Sequence, residues 1–296
     1  LLTFRNLNAG ICEPVPDITV KWYNDGTPSI QIPSQWKVCG QQNRVQLVIE
    51  WRFEADIWEK ELFVLQCVMA EIGRGIGVTL FMPYVPNARM DRVPPAKRDA
   101  FTLKTFAKII NSMGFDKVGV RDPHSDVTTA LIDRCEADKP WPGINWLAAN
   151  TNKPVWLFPD AGAMHRYADI IPEGQDVTYG TKVRNWDTQY IEGYKLMAGN
   201  MLCGRNVVIV DDIISHGYTL LFLLKALEEY CPKSVKIYAT HVEDSFADGE
   251  LYKQLRSGEL NAEVYTSNSI VRKRIQEETV AINPTVIRLK IKEEKE

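Results

Sequence analysis

No CxxC pair occurs in this sequence: its six cysteines, at positions 12, 39, 67, 135, 203 and 231, lie far apart. That scatter argues against a zinc ribbon or a disulfide-stapled scaffold and fits reduced thiols in a cytosol-like compartment. No apolar run approaches the roughly 20 residues that span a bilayer, and no signal-peptide pattern opens the sequence. The expectation is therefore a cytoplasmic protein without a membrane partner. Excess positive charge is also missing. With 35 Lys and Arg against 38 Asp and Glu, the net charge is −3, which removes the electrostatic footprint of a nucleic-acid binder. There is no internal repeat and no low-complexity segment. No GxxxxGK[ST] is present, so any nucleotide is held without a P-loop. Gly73–Gly77 (GRGIG) imitates a dinucleotide loop, but its sixth position is Val78 and it lies between a helical pattern and a strand. The fingerprint needs the reverse order, so these glycines read as a helix stop.

What is present is an alternation of strand and helix patterns over 296 residues, 45% of them hydrophobic. Strands are expected at Val45–Trp51, Val78–Met82, Lys117–Val120, Pro154–Phe158, Val207–Val210, Ser234–Thr240 and Thr285–Ile291. Helices are expected at Ala55–Ile72, about Thr102–Met113, Gly162–Ile170 and Leu220–Tyr230. Repeated βα units predict an α/β fold with mostly parallel sheets covered by helices. The length accommodates two domains, each with its own core. Lys139–Pro154 holds three prolines, two tryptophans and an Asn-rich patch, which suggests halves of 1–145 and 146–296. The tail Lys292–Glu296 reads as solvated charge.

The densest chemistry lies at Val207–Thr219 (VVIVDDIISHGYT). An unbroken apolar run suits a strand buried on both faces, and ligands of open α/β sheets bind beyond the carboxyl ends of their strands. Asp211 and Asp212 would sit there on opposite faces, one able to meet sugar hydroxyls and the other a metal or a loop. Ser215, His216, Gly217, Tyr218 and Thr219 would offer backbone N–H groups to a phosphate at a helix start. Strand-end acids also simply cap helices.

Four further segments carry polar groups near predicted strand ends. In Pro83–Arg92 (PYVPNARMDR), Arg89 and Arg92 flank Asp91, as a polyphosphate clamp or as a surface ion-pair cluster. In Arg121–Asp126 (RDPHSD), extended backbone would place Asp122, His124 and Asp126 on one side as metal ligands. His124 could equally be a loop residue, with Ser125 and Asp126 capping a helix. In Phe158–Ala163 (FPDAGA), Asp160 is a metal ligand or an N-cap. The polar stretch Tyr179–Gly193 reads as a lid whose Lys182 and Arg184 neutralise a transferring phosphoryl group, or as solvated surface.

The order of these segments resembles the ribose-phosphate diphosphokinases, also called phosphoribosyl pyrophosphate synthetases. That family carries PYxxxARQDR, DLH, SPDxGG, a lid with KxR, DDIIDTAGT and a TNSI strand. Here the matches are Pro83–Arg92, Asp122–His124 (DPH), Pro159–Ala163 (PDAGA), Lys182–Arg184 (KVR), Asp211–Thr219 (DDIISHGYT) and Ser267–Ile270 (SNSI). Upstream, Tyr23–Thr27 (YNDGT) resembles the family's FSDGE, which reaches the adenine of ATP bound by a neighbouring subunit. The likeness runs from about residue 20 to 291. It implies two phosphoribosyltransferase-like domains, the first on the ATP side, and a homo-oligomer of at least two subunits. It further implies ATP contacts from Tyr23, Asp25, Thr27, Arg89, Met90 and Arg92, and magnesium at His124, Asp160 and Asp122. Lys182 and Arg184 would be catalytic, and Asp211, Asp212 and Ser215–Thr219 would hold ribose 5-phosphate. The implied reaction transfers the diphosphoryl group of ATP to the anomeric hydroxyl, releasing AMP, with alignment and charge neutralisation as the main sources of rate.

The departures from the pattern cluster at the ligands. Thr27 stands for Glu and Met90 for Gln beside the adenine, and DTAGT becomes Ser215–Thr219 (SHGYT). The loop thus loses an acid at 215 and gains an aromatic at 218 where the family has glycine. Gly217 can take over the backbone freedom. Alternatively, Tyr218 offers a stacking face to a 5-extended acceptor such as ADP-ribose, which would place the enzyme in nicotinamide-nucleotide metabolism. The family's terminal helix does not follow the last predicted strand, so hexameric assembly and nucleotide regulation are not carried over. Two other classes stay open: a phosphoribosyltransferase consuming the diphosphate, and a non-catalytic regulatory paralogue.

Overall fold

The computed structural model describes the chain except residues 9–10, 15–17, 34–45, 73–75, 94–98, 185–190, 280–285 and 292–296. It divides into two units, Leu1–Asp138 and Lys139–Glu296. The division falls ahead of the 145/146 position that composition suggested, because Trp141–Ala149 is a helix rather than a linker. Pro142 sits in its first turn, where a missing N–H costs nothing. Its Ile144 and Leu147 are buried with Trp156, Phe158 and Tyr238 of the second unit.

In the first unit the strands are β1 (Leu2–Asn8), β2 (Ile11–Pro14), β3 (Thr19–Trp22), β4 (Pro28–Gln31), β5 (Gln46–Trp51), β6 (Gly77–Met82), β7 (Lys117–Arg121) and β8 (Cys135–Asp138). The helices are α1 (Trp58–Glu71), α2 (Thr102–Ser112) and α3 (Val127–Leu131). One sheet has the order β2-β1-β5-β6-β7-β8, with β5 to β8 parallel and β1 antiparallel to both its neighbours. β3 and β4 form a separate hairpin. Leu47, Ile49 and Trp51 alternate inward along β5 against Leu62, Leu65 and Val68 of α1. The buried Trp51 satisfies its indole N–H on Glu61 Oε2 at 3.0 Å.

The second unit contains β9 (Val155–Phe158), β10 (Asp176–Arg184), β11 (Ile191–Leu196), β12 (Asn206–Ile214), β13 (Ser234–Val242), β14 (Glu263–Thr266), β15 (Gln276–Thr279) and β16 (Ile287–Lys290). Its helices are α4 (Trp141–Ala149), α5 (Ala161–Tyr167), α6 (Tyr218–Glu228) and α7 (Glu250–Ser257). The sheet order is β11-β10-β9-β12-β13-β14-β16-β15, with β10, β9, β12, β13 and β14 parallel and β11, β16 and β15 joined antiparallel to their neighbours. The apolar runs of β9 and β12 explain themselves here. Val155, Leu157, Val207 and Ile209 enter one core, while Trp156, Phe158, Val208 and Val210 enter the core on the other face. A strand buried on both sides needs no polar alternation.

Three expectations change. β12 runs on to Ile214, so Asp211 and Asp212 lie within the strand rather than beyond it. The polar stretch Tyr179–Gly193 is not a loop at its near end, because β10 continues through Arg184 and pairs with β11. Its β-branched Val177, Thr178, Thr181 and Val183 favour that extended backbone. Finally, Ser267–Ile270 follows β14 rather than extending it. The Ser267 and Ser269 hydroxyls donate to Thr240 O at 2.8 and 2.9 Å and turn the segment back. Of the remaining expected features, residues 73–75, 285 and the tail 292–296 lie outside the described residues.

The closeness of α4 to β13 is testable. A Cβ on Gly143 would stand 2.1 Å from the Tyr238 ring. Gly143→Ala should destabilise the protein by about 1–3 kcal/mol through overpacking, although Gly to Ala in an open helix stabilises. Urea unfolding should show a lower midpoint with an unchanged slope.

Candidate active site

Asp211 and Asp212 are consecutive, and β12 carries both into low-dielectric surroundings. Asp212 is 6% exposed, and its Oδ1 lies 3.3 Å from Arg166 Nη1 on α5. Its backbone N–H donates to Asp211 Oδ1 at 3.0 Å. Burial first, and then the Asp212 charge, push the Asp211 carboxyl well above the ordinary carboxylate range, with Lys182 pulling the other way.

Asp160 ends the neighbouring strand's loop and does two things. Its Oδ1 accepts from Ala163 N at 3.0 Å and caps α5, while its Oδ2 meets Lys182 Nζ at 3.2 Å. Burial opposes ionisation, but the Ala163 N–H and the Lys182 ammonium outweigh it and hold Asp160 below its usual range. The N-cap reading is therefore the observed one. Both oxygens are occupied by protein donors in this state. Lys182 stands on β10 opposite Tyr194 of β11, just before a register shift at Val183 and Arg184. Arg184 ends β10, and its side chain lies outside the described residues.

Arg166 is the residue that sequence reading missed. It neutralises Asp212 and adds to the field that lowers Asp160. Nothing in the sequence marks it except its place on the helix that Asp160 caps. Among the described residues, no group of three or more His, Cys, Asp or Glu side chains is placed to hold a metal ion. Magnesium often takes only one or two carboxylates plus substrate phosphates, and of the expected ligands Asp160 and Asp122 offer it hard carboxylate oxygens.

Beyond β12 the chain turns sharply. Gly217 has φ +80°, and α6 begins at Tyr218, two residues before the helix expected from Leu220. The left-handed residue of this loop is thus Gly217. Leu221 N donates to Gly217 O at 2.9 Å, and Thr219 lies in the helix's first turn. Tyr218 is 59% exposed, and its ring lies 6.2 Å from that of His216 at an interplanar angle of 24°. The loop rests on the turn before α7: a Cβ on Gly249 would stand 2.0 Å from His216 O. Ser215 Oγ lies 3.1 Å from Ser245 Oγ of the same turn.

The first unit presents its candidates separately. Tyr23 and Asp25 are exposed in the turn between β3 and β4, where Asp25 Oδ1 accepts from Thr27 N at 2.9 Å and from Thr27 Oγ1 at 2.7 Å. Those bonds lower the Asp25 carboxyl. After β6, a tight turn held by Met90 N donating to Asn87 O at 2.8 Å exposes Arg89 and Arg92 and half-buries Met90. After β7, the expected row of Asp122, His124 and Asp126 does not form. Asp122 is buried at φ +42°, with its N–H on Asp138 O at 2.8 Å, and Asp126 is already helical at the start of α3. His124, half-buried, follows Pro123 in that bend.

A parallel sheet with carboxylates, a lysine and a glycine turn at one end matches a wider class. Residues 163–272 match the model of the phosphoribosyl transferase domain. The ribose-phosphate pyrophosphokinase of Sulfurisphaera tokodaii is 27% identical over 288 residues, covering 96% of this chain and 95% of that protein. The Vibrio cholerae enzyme of the same name is 27% identical over 263 residues, covering 88% and 81%. The crystal structure of phosphoribosylpyrophosphate synthetase from Mycobacterium smegmatis shares the fold, with a TM-score of 0.67 and 18% identity over 87% of this chain and 82% of that one. Over most of its length the chain is thus similar to the ribose-phosphate pyrophosphokinases, and its fold is that of a phosphoribosylpyrophosphate synthetase.

Two outcomes follow from this geometry. Because Asp211 holds its proton more tightly folded than unfolded, it destabilises the ligand-free fold increasingly as pH rises from the ordinary carboxylate value through its raised one. Asp211→Asn should therefore raise the melting temperature at pH 7 and flatten the profile between mild acid and neutrality, measured by calorimetry. Gly249→Ala must displace the His216 backbone. It should cost about 1–3 kcal/mol and shift the His216 and Gly217 amide signals.

Proposed function

We propose that this chain transfers the diphosphoryl group of ATP to the anomeric hydroxyl of ribose 5-phosphate, giving phosphoribosyl diphosphate and AMP. The observation that carries the reading is the pairing of Lys182 with Asp160 in the electrostatic reach of Asp211. A lysine held by a carboxylate is a cation in store for an incoming phosphate. Phosphoryl chemistry depends mainly on such charge neutralisation and alignment.

In this reading the sugar hydroxyls meet Asp211 and Asp212, and the 5-phosphate meets the N–H groups of Ser215–Thr219 at the start of α6. Lys182 and Arg184 move onto the transferring group. ATP falls to Tyr23, Asp25, Thr27, Arg89, Met90 and Arg92, with Met90 reading the base through contact rather than hydrogen bonds. His124, Asp160 and Asp122 are the candidates for magnesium, which supplies charge compensation at the phosphate oxygens when bound. The attacking anomeric oxygen forms a bond to the β-phosphorus as the bond to the AMP oxygen breaks. Since the adenine contact of Tyr23–Thr27 is made across subunits in the resemblance, the proposal includes a homo-oligomer, at least a dimer.

One observation favours a second acceptor. The exposed Tyr218 ring, nearly parallel to His216, offers a platform beside the loop that the 5-phosphate would occupy. ADP-ribose would lay its AMP half there and leave as ADP-ribose 1-diphosphate.

The protein should be incubated with ATP and magnesium, with ribose 5-phosphate and ADP-ribose offered in parallel, and followed by phosphorus NMR and mass spectrometry. Diphosphorylated ribose 5-phosphate with AMP supports the first reading, and preference for ADP-ribose supports the second. AMP from neither overturns both in favour of a phosphoribosyltransferase or a regulatory paralogue. Lys182→Ala should lower kcat by about 100-fold or more while leaving the melting temperature within a few degrees of the parent. Unchanged turnover would remove Lys182 from the chemistry.

A further inference from the structure

We infer that Ser215 serves the bound sugar phosphate as a hydrogen-bond acceptor for one of its ring hydroxyls, and does not donate to the phosphate. The inference deepens the ribose-phosphate reading and rests on it. It comes from counting protons along a chain of three side chains that ends in a carboxylate.

Glu243 Oε2 accepts from Ser245 Oγ at 3.2 Å. A carboxylate has no proton to give, so the Ser245 hydroxyl must point its only hydrogen at Glu243. Ser245 Oγ also lies 3.1 Å from Ser215 Oγ. With the Ser245 proton in use, that bond runs in one direction: Ser215 donates and Ser245 accepts. The single proton of Ser215 therefore faces inward. What Ser215 offers outward is lone pairs, and its other contact, with His216 Nδ1, is a long one at 3.4 Å.

A phosphate dianion has no proton to place on those lone pairs. A sugar hydroxyl does. The 5-phosphate then takes no proton from the Ser215 hydroxyl. Side-chain acceptance at 215 also explains how the loop tolerates a serine where the family pattern has an acid: a carboxylate is acceptor-only, and Glu243 imposes the same one-way behaviour on Ser215 through Ser245. The relay stands on a firmly held turn, because Asp244 accepts from Lys273 N at 2.9 Å and Arg274 spans Asp248 with two contacts of 2.6 Å.

Calorimetry on the purified full chain tests this without requiring turnover. The ligands are ribose 5-phosphate, its three analogues lacking the 1-, 2- or 3-hydroxyl, and inorganic phosphate. Ser215→Ala should weaken ribose 5-phosphate about five- to tenfold and leave inorganic phosphate unchanged. For one of the three analogues, the same substitution should cause no further loss, because the partner hydroxyl is already gone. Ser245→Ala frees the Ser215 proton to rotate outward and should reproduce part of the loss for that same hydroxyl, which removal of a packing contact would not do. Ser215→Thr keeps the oxygen and should bind like the parent. Equal weakening of phosphate and ribose 5-phosphate by Ser215→Ala, or additive losses with all three analogues, overturns the assignment alone. If the parent protein binds none of the sugar phosphates, the ribose-phosphate reading itself falls and takes this assignment with it.

Discussion

Adjacent acids on a buried strand repel each other and lose hydration together, and the second unit is arranged around that constraint. Asp211 and Asp212 cannot both stay charged there without cations. Their own strand supplies none, so the compensating charges arrive from two other elements, Arg166 from α5 and Lys182 from β10. Each needs its element fixed. Asp160 does this for both at once, capping the helix that carries Arg166 and pairing with Lys182 on the strand. The central β12 can then keep an apolar run that is buried on both faces up to the first acid.

The other wall of the site is built by clasps rather than by a core. Arg272 has a fully buried side chain, donates to Val242 O at 3.3 Å and Ser267 O at 3.1 Å, and pairs with Glu277. It ties the ends of β13 and β14 to the segment that runs into β15. Isolated surface ion pairs contribute little, but here the guanidinium satisfies backbone carbonyls that would otherwise be buried without donors. The turn at 244–249 is tied to the same segment through Asp244, which accepts from Lys273 N at 2.9 Å, and Gly249 lies directly under His216.

Much of this was legible in the residues, and what was not has physical causes. The runs Pro154–Phe158 and Val207–Val210 announce doubly buried strands because burial on both faces leaves only one composition open to them. Asp160 before Ala161–Ala163 reads as a cap for local reasons that need no tertiary structure. By contrast, Tyr179–Arg184 reads as part of a polar loop because Lys182 and Arg184 break the apolar pattern that a strand would show, although β11 pairs with it as the next strand in the sequence. The row at Asp122–Asp126 failed because Asp122 takes a left-handed conformation, which the alternation of residue types does not reveal. Arg166 and Ser245 carry no motif at all. Their importance comes from what β12 and the loop after it bring beside them.

The contact between Lys182 and Asp160 has a consequence for selectivity. An anion arriving at this end of the sheet does not meet a bare cation but one already wearing a counter-ion of its own. To recruit Lys182, a newcomer must offer more than Asp160 does, at a geometry set by a paired β-ribbon rather than by a free side chain. A small monovalent anion brings no more charge than Asp160 already supplies, whereas a polyphosphate brings several oxygens and its own charge surplus. The tether thus makes Asp160 a built-in competitor of any anion that Lys182 would serve.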